Sequence, residues 1–202
     1  MRALAAILLA MTLIAPAAAS AAPERLVMKP YPGGIWKRIT DKSNERGWIH
    51  EQIPAGQSVE TFADILTDQG YATMGGGDPS EFLKARFANI QPACEGMRVN
   101  GPTPRMEGGL PVAYAQVYCG RQAGQPFGVS IFYKAIGGGA ALYSVSREFH
   151  VPASSVRGVL SFPKGHEAEA GALVKAQAAA DRYLLNDVYV CGGKSDDLRC
   201  QR

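Results

Sequence analysis

The spacing of apolar and polar positions changes several times along this chain, and each change marks a predicted element. Ile35-Trp36-Lys37-Arg38-Ile39-Thr40 and Gly47-Trp48-Ile49-His50-Glu51-Gln52-Ile53 read as two strands. The turn formers Asp41-Lys42-Ser43-Asn44-Glu45-Arg46 join them as a hairpin, and Pro54-Ala55-Gly56 ends the second. The period then lengthens. Val59, Phe62, Ile65 and Leu66 recur at helical spacing after Ser58, whose hydroxyl suits an N-cap, and Gly70 is placed to stop that helix. A second helix is announced by Asp78-Pro79-Ser80-Glu81, which combines a capping acid, proline at the first helical position and Glu three residues after the cap. Phe82, Leu83, Phe87 and Ile90 form its apolar stripe, and Gln91-Pro92 ends it.

Four strands follow, over 95–103, 110–119, 126–135 and 141–149. In the second, Val112, Tyr114, Gln116 and Tyr118 alternate with Ala113, Ala115 and Val117; the third carries Val129, Ile131 and Tyr133 on one side. Gly137-Gly138-Gly139 supplies a hairpin turn, because glycine takes the positive φ values that such turns require. After a connection over 150–165, an alanine-rich helix runs from about Glu167 to Leu185. Leu173, Val174, Leu184 and Leu185 are its anchors, with Ala170 and Ala178 allowing close packing on that side. The predicted order is ββ-αα-ββββ-α, an α+β fold in which an antiparallel sheet of about six strands is packed by three helices.

The first twenty-one residues have a different character. Arg2, the apolar run Leu4 to Ile14, the helix breaker Pro16 and the small residues Ala17 to Ala22 have the three parts of a secretory signal peptide. Cleavage is expected between Ala21 and Ala22, with Ala19 as the near alternative. The run is roughly half the ~20 apolar residues needed to span a bilayer, so no stable membrane insertion is expected after cleavage. The organisation is then signal peptide 1–21, extended lead-in 22–34, one α+β domain 35–190, and C-terminal tail 191–202. Such a product is periplasmic or secreted.

Export changes the reading of the cysteines. An even set, Cys94, Cys119, Cys191 and Cys200, favours two disulfides in an oxidising compartment. Three pairings can be drawn. Locality favours Cys94 with Cys119, at the open end of an antiparallel pair turning at Gly108-Gly109, and Cys191 with Cys200, closing the tail. No Cys-x-x-Cys pair exists for a zinc ribbon. With 21 basic and 18 acidic side chains, spread without a basic run, nucleic acid is not an expected partner.

The candidate chemistry is sparse. Cys191-Gly192-Gly193-Lys194-Ser195 ends like a phosphate-binding loop, but Val188 stands where the first glycine is required and no helix follows. Gly75-Gly76-Gly77 would offer amides to an anion, yet Asp78 occupies and repels that position. His166-Glu167 begins a zinc-protease motif whose second histidine is replaced by Ala170. No Gly-x-Ser-x-Gly elbow is present. His50, Glu51 and His150 are the one set that adjoining strands could turn into an acid–base pair. Trp36, Trp48, Tyr114, Tyr118 and Tyr133 are either groove-lining or core aromatics.

The stretch Ile53-Pro54-Ala55-Gly56-Gln57-Ser58-Val59-Glu60-Thr61-Phe62, with the element order around it, resembles small exported bacterial proteins with a fold like that of the PsbP, Mog1 and DcrB group. The resemblance covers roughly residues 35 to 185. It implies an antiparallel sheet sandwiched by helices and an accessory role without catalysis; it carries over no site residue. The expectation is therefore an exported, non-enzymatic accessory or binding module of the bacterial envelope, needing no cofactor, whose partner is an unidentified protein or envelope component. The alternatives are a hydrolase built on His50, Glu51 and His150, and a small-ligand carrier using the aromatic residues.

Overall fold

Strand alternation is the dominant signal in the folded chain. The computed structural model describes residues 22–31, 34–156 and 158–201, so the signal-peptide reading of 1–21 lies outside the described residues. The strands are β1 (Arg25–Met28), β2 (Trp36–Asn44), β3 (Gly47–Pro54), β4 (Asp64–Tyr71), β5 (Cys94–Glu95), β6 (Arg98–Glu107), β7 (Leu110–Cys119), β8 (Arg121–Gln122), β9 (Phe127–Gly137), β10 (Leu142–Pro152) and β11 (Val188–Cys191). The helices are α1 (Pro79–Ile90) and α2 (Glu167–Asn186). Seven strands form one antiparallel sheet in the order β2-β3-β4-β10-β9-β7-β6. β1 pairs with β11, and β5 with β8, as separate two-stranded ribbons.

The expected helix after Ser58 is not formed; that segment is a turn followed by β4, giving, among the described residues, seven strands in the main sheet and two α-helices. β4 lies between β3 and β10, where both of its backbone edges are hydrogen-bonded and both faces are covered. Val59 and Phe62 belong to the preceding turn and only Ile65 and Leu66 to β4, whose other residues are mostly polar, so a spacing that runs across two elements imitates one helix. Gly70 does not stop a helix. It leaves room for the indole of Trp48, whose ring would collide with any side chain there.

α1 begins as its sequence dictates, with the Asp78 carboxylate accepting from the Ser80 and Glu81 amides at 2.7 and 3.4 Å. Asp78→Ala should cost about 1 kcal/mol, read as a lower urea midpoint at unchanged slope. Leu83 and Phe87 of α1 cover one face of the sheet, over Ala113, Val117, Ile131 and Tyr133. The opposite face carries Val112, Ile136, Tyr143 and Val145 beneath Tyr183 and Leu184 of α2 and the β1–β11 ribbon. α2 buries its C-terminal half through Ala180, Tyr183 and Leu184, whereas Val174, expected as an anchor, faces solvent.

The lead-in is not merely extended. β1 pairs in register with β11 from Arg25–Cys191 to Met28–Val188. Just before it, the Glu24 carboxylate accepts from the amides of Gly139 and Ala140 and the hydroxyl of Tyr143. Disulfides join Cys94 to Cys119 and Cys191 to Cys200, with Cα separations of 5.5 and 5.6 Å.

Candidate functional site

Adjacent residues of a strand point to opposite faces. His50 therefore faces the α2 side of the sheet and Glu51 the α1 side, as their partners show: His50 meets Asp41 and Asp68, while Glu51 accepts from the Thr40 hydroxyl. His150 shares the Glu51 face, stacked on Phe127 with ring centres 3.9 Å apart and flanked by Phe62. Its imidazole is held below its ordinary pKa by burial. The trio His50, Glu51 and His150 is thus divided by the sheet and does not form one acid–base centre. His166 sits apart at the start of α2, paired with Glu169.

What the structure does bring together is a cleft of about 670 Å³ on the α2 face, between the β2–β4 half of the sheet and β1 with the segment that follows it. Trp36, Trp48 and Tyr31 provide aromatic walls, Tyr183 and Leu66 apolar backing, and His50, Gln52 and Asp68 a polar strip along β3 and β4. The strip follows from register: Gln52 is opposite Leu66, and His50 opposite Asp68. Asp68 is only 6% exposed, and its Oδ2 accepts from the Trp48 indole at 3.1 Å and lies 2.8 Å from His50 Nδ1. His50 Nε2 lies 3.3 Å from Asp41, so the ring spans two carboxylates and its orientation is set from both ends. The wall is propped from behind by Arg147. Its guanidinium lies 4.0 Å from the Trp36 ring centre and 4.1 Å from that of Tyr31, and it is ion-paired to Asp64 at 2.7 Å.

Of the five aromatics expected in a groove or core, Trp36 and Trp48 line this cleft. Tyr118 and Tyr133 are core residues, and Tyr114 packs on Lys134 and donates to Glu107. Asp68, Gln52 and Tyr31 were not singled out from the sequence. Once Ile65-Leu66-Thr67-Asp68 is read as a strand, an acid alternating with Leu66 opposite Trp48-x-His50-x-Gln52 is the signal that finds the site.

A second polar group lies on the α1 face. Glu148 of β10 is 3.7 Å from His150, feels Arg86 of α1 and Glu51 of β3, and is pushed up to about 7 by burial, with Glu51 adding and Arg86 opposing. A carboxyl raised in the folded state holds its proton more tightly there than in the unfolded chain. Its favourable contribution is thus complete below about pH 4.5 and lost as pH rises through 7. Glu148→Gln should leave stability unchanged near pH 4 and raise it by about 2 kcal/mol above pH 8, a figure reduced for the 28% of the side chain in contact with water. Urea titrations at the two pH values check this.

The glycine-rich segments have structural employment. Gly193 donates its amide to Ala22, and Gly76 and Gly77 donate theirs to Gly138 and Met74. Among the described residues no group of three or more His, Cys, Asp or Glu has the geometry to hold a metal ion, and no helix is long and apolar enough to cross a membrane.

No family model and no curated protein matches the chain, so the likeness to the PsbP, Mog1 and DcrB group gains no support from those comparisons. Among solved structures it is similar to LpqN of Mycobacterium tuberculosis, described as involved in cell envelope biogenesis. The TM-score is 0.38 at 12% identity, over 84% of each chain. That likeness is too remote to carry a fold or a role from one chain to the other.

Proposed function

We propose that the mature chain is an exported, non-enzymatic binding module of the cell envelope, and that it holds a small ligand in the cleft walled by Trp36, Trp48 and Tyr31. The observation that carries this reading is the cleft itself: about 670 Å³, with aromatic walls and a short row of oriented polar groups. This is the usual make-up of a small-molecule site. Two disulfides accord with work outside the cytoplasm. The division of His50 from Glu51 and His150 supports binding over hydrolysis by that set.

A ligand that binds only the folded state stabilises it, by about 2.7 kcal/mol at a hundred times its Kd. The small-molecule fraction of an envelope extract should therefore raise the Tm of the oxidised protein, and Trp48→Ala should abolish the rise. No rise with concentrated fractions, or a rise that survives Trp48→Ala, would contradict a ligand in this cleft.

A further inference from the structure

The cleft has a chemistry specific enough to name a ligand class, given the binding-module reading above. A wholly apolar ligand would strip water from Asp68, His50 and Gln52 without replacing the hydrogen bonds they lose, which is unfavourable. A strongly charged ligand finds no matching field. Of the three basic residues that line the cleft, Arg38 is ion-paired to Asp41 at 2.8 Å and Lys29 to Asp187 at 3.1 Å, and the acids Glu24 and Asp68 line it beside Arg25, so its charges are mixed in sign. What remains is a molecule with flat apolar faces and a rim of neutral donors and acceptors.

A pyranose ring has this form. Its axial C–H bonds make an apolar face that packs on an aromatic ring, and its hydroxyls lie around the edge, each both donor and acceptor. Trp36 and Trp48 line the cleft from β2 and β3, and Gln52 and Asp68 supply an amide and a carboxylate between them. Gln52 is planar and two-pronged, suited to neighbouring hydroxyls, and Asp68, whose Oδ2 already meets the Trp48 indole and His50, offers Oδ1 as an acceptor. Asp68 is buried and held by the Trp48 indole, so its position is set before any ligand arrives. We propose that the cleft is a carbohydrate-binding site that takes an uncharged sugar ring or short oligosaccharide, stacked on the tryptophans and hydrogen-bonded by Gln52, Asp68 and Arg38, whose guanidinium has N–H donors beyond the Nη1 that meets Asp41.

The chain has two tryptophans, and both line the cleft, so intrinsic emission reports its occupancy directly. Oxidised protein lacking residues 1–21 is titrated with trisaccharides of N-acetylglucosamine, glucose and mannose, and separately with the uncharged apolar dye N-phenyl-1-naphthylamine. The expected result is a saturable emission change with at least one sugar. Gln52→Ala and Arg38→Ala should each weaken that binding at least tenfold, and both alter rim or strip residues rather than the core. Dye binding with no response to any of the sugars overturns the carbohydrate assignment and leaves the binding-module reading standing. Sugar binding that is unchanged in both variants also overturns it, because the polar strip would then play no part. Silence toward sugars and dye alike overturns both.

Discussion

Replacing Lys134 with Met should destabilise the protein by about 3 kcal/mol, the largest loss expected from any single side chain outside the apolar core. Lys134 is on β9, near the middle of the sheet, and is 0% exposed. Its ammonium donates to Glu107 Oε2 at 2.7 Å and to the Val188 carbonyl at 2.6 Å, and it lies 5.1 Å from the centre of the Tyr114 ring. It therefore ties the sheet to β11, while burial holds its pKa below the ordinary range for an ammonium. An ion pair of this kind contributes little net stability when whole. Removing one partner is costly because the other is left without its counter-charge. Glu107 keeps a hydrogen bond from the Tyr114 hydroxyl at 2.5 Å and has Arg199 3.8 Å away, which limits the loss. The double variant Lys134→Met with Glu107→Gln should recover most of it, since Gln keeps an acceptor for Tyr114 and carries no charge. Urea denaturation of both variants reads the difference, and equal losses in the two would mean that the uncompensated carboxylate is not the cause.

Reduction of the disulfides is the second large effect. On the chain-entropy view, bridges of 25 and 9 residues' separation contribute about 3 kcal/mol each. They differ in what else they hold. Cys94–Cys119 ties β5, just past the end of α1, to the end of β7, and Cys119 is 1% exposed within the cluster under α1. Cys191–Cys200 secures the turn that carries Asp197 and Arg199, whose side chains are hydrogen-bonded to each other and lie beside Glu107. Cys191→Ala with Cys200→Ala should thus interact with Lys134→Met, their combined loss differing from the sum of the separate ones. Cys94→Ala with Cys119→Ala should add to it without interaction. Full reduction is expected to lower the Tm by more than 10 °C, measured against the oxidised protein at one concentration; a shift of under 3 °C would contradict the assigned contribution.

Much of the architecture was legible where one signal ruled. The cap at Asp78, the hairpin joining β9 to β10 and the alternation through Val112 to Tyr118 each act over a few residues, and such signals survive into the fold, although Gly137 ends β9 and none of Gly137, Gly138 and Gly139 takes the positive φ expected of the turn. β4 was illegible for a physical reason. Its character comes from strand neighbours on both sides, one of them distant in sequence, while its own Ile65 and Leu66 continue the spacing of Val59 and Phe62 in the turn before it. β1 was hidden likewise, because its partner, β11, lies at the other end of the chain. The site inherits these two difficulties. Trp48 and His50 were visible as strand residues, but the cleft needs Asp68 from the misread strand and Tyr31 from the supposed lead-in. Sequence alone also set His50 beside Glu51 without the alternation that turns them to opposite faces.

On the proposed function, a ligand occupies the cleft of the α2 face. A two-dimensional ¹⁵N correlation spectrum of the oxidised protein has two indole N–H signals, one each from Trp36 and Trp48, the latter donating to Asp68. Saturation with a trisaccharide that changes the emission should move both indole signals and the amide of Tyr31, leaving the amides of α1 in place. Shifts gathered on α1 and around Glu148, with both indoles unmoved, would contradict it.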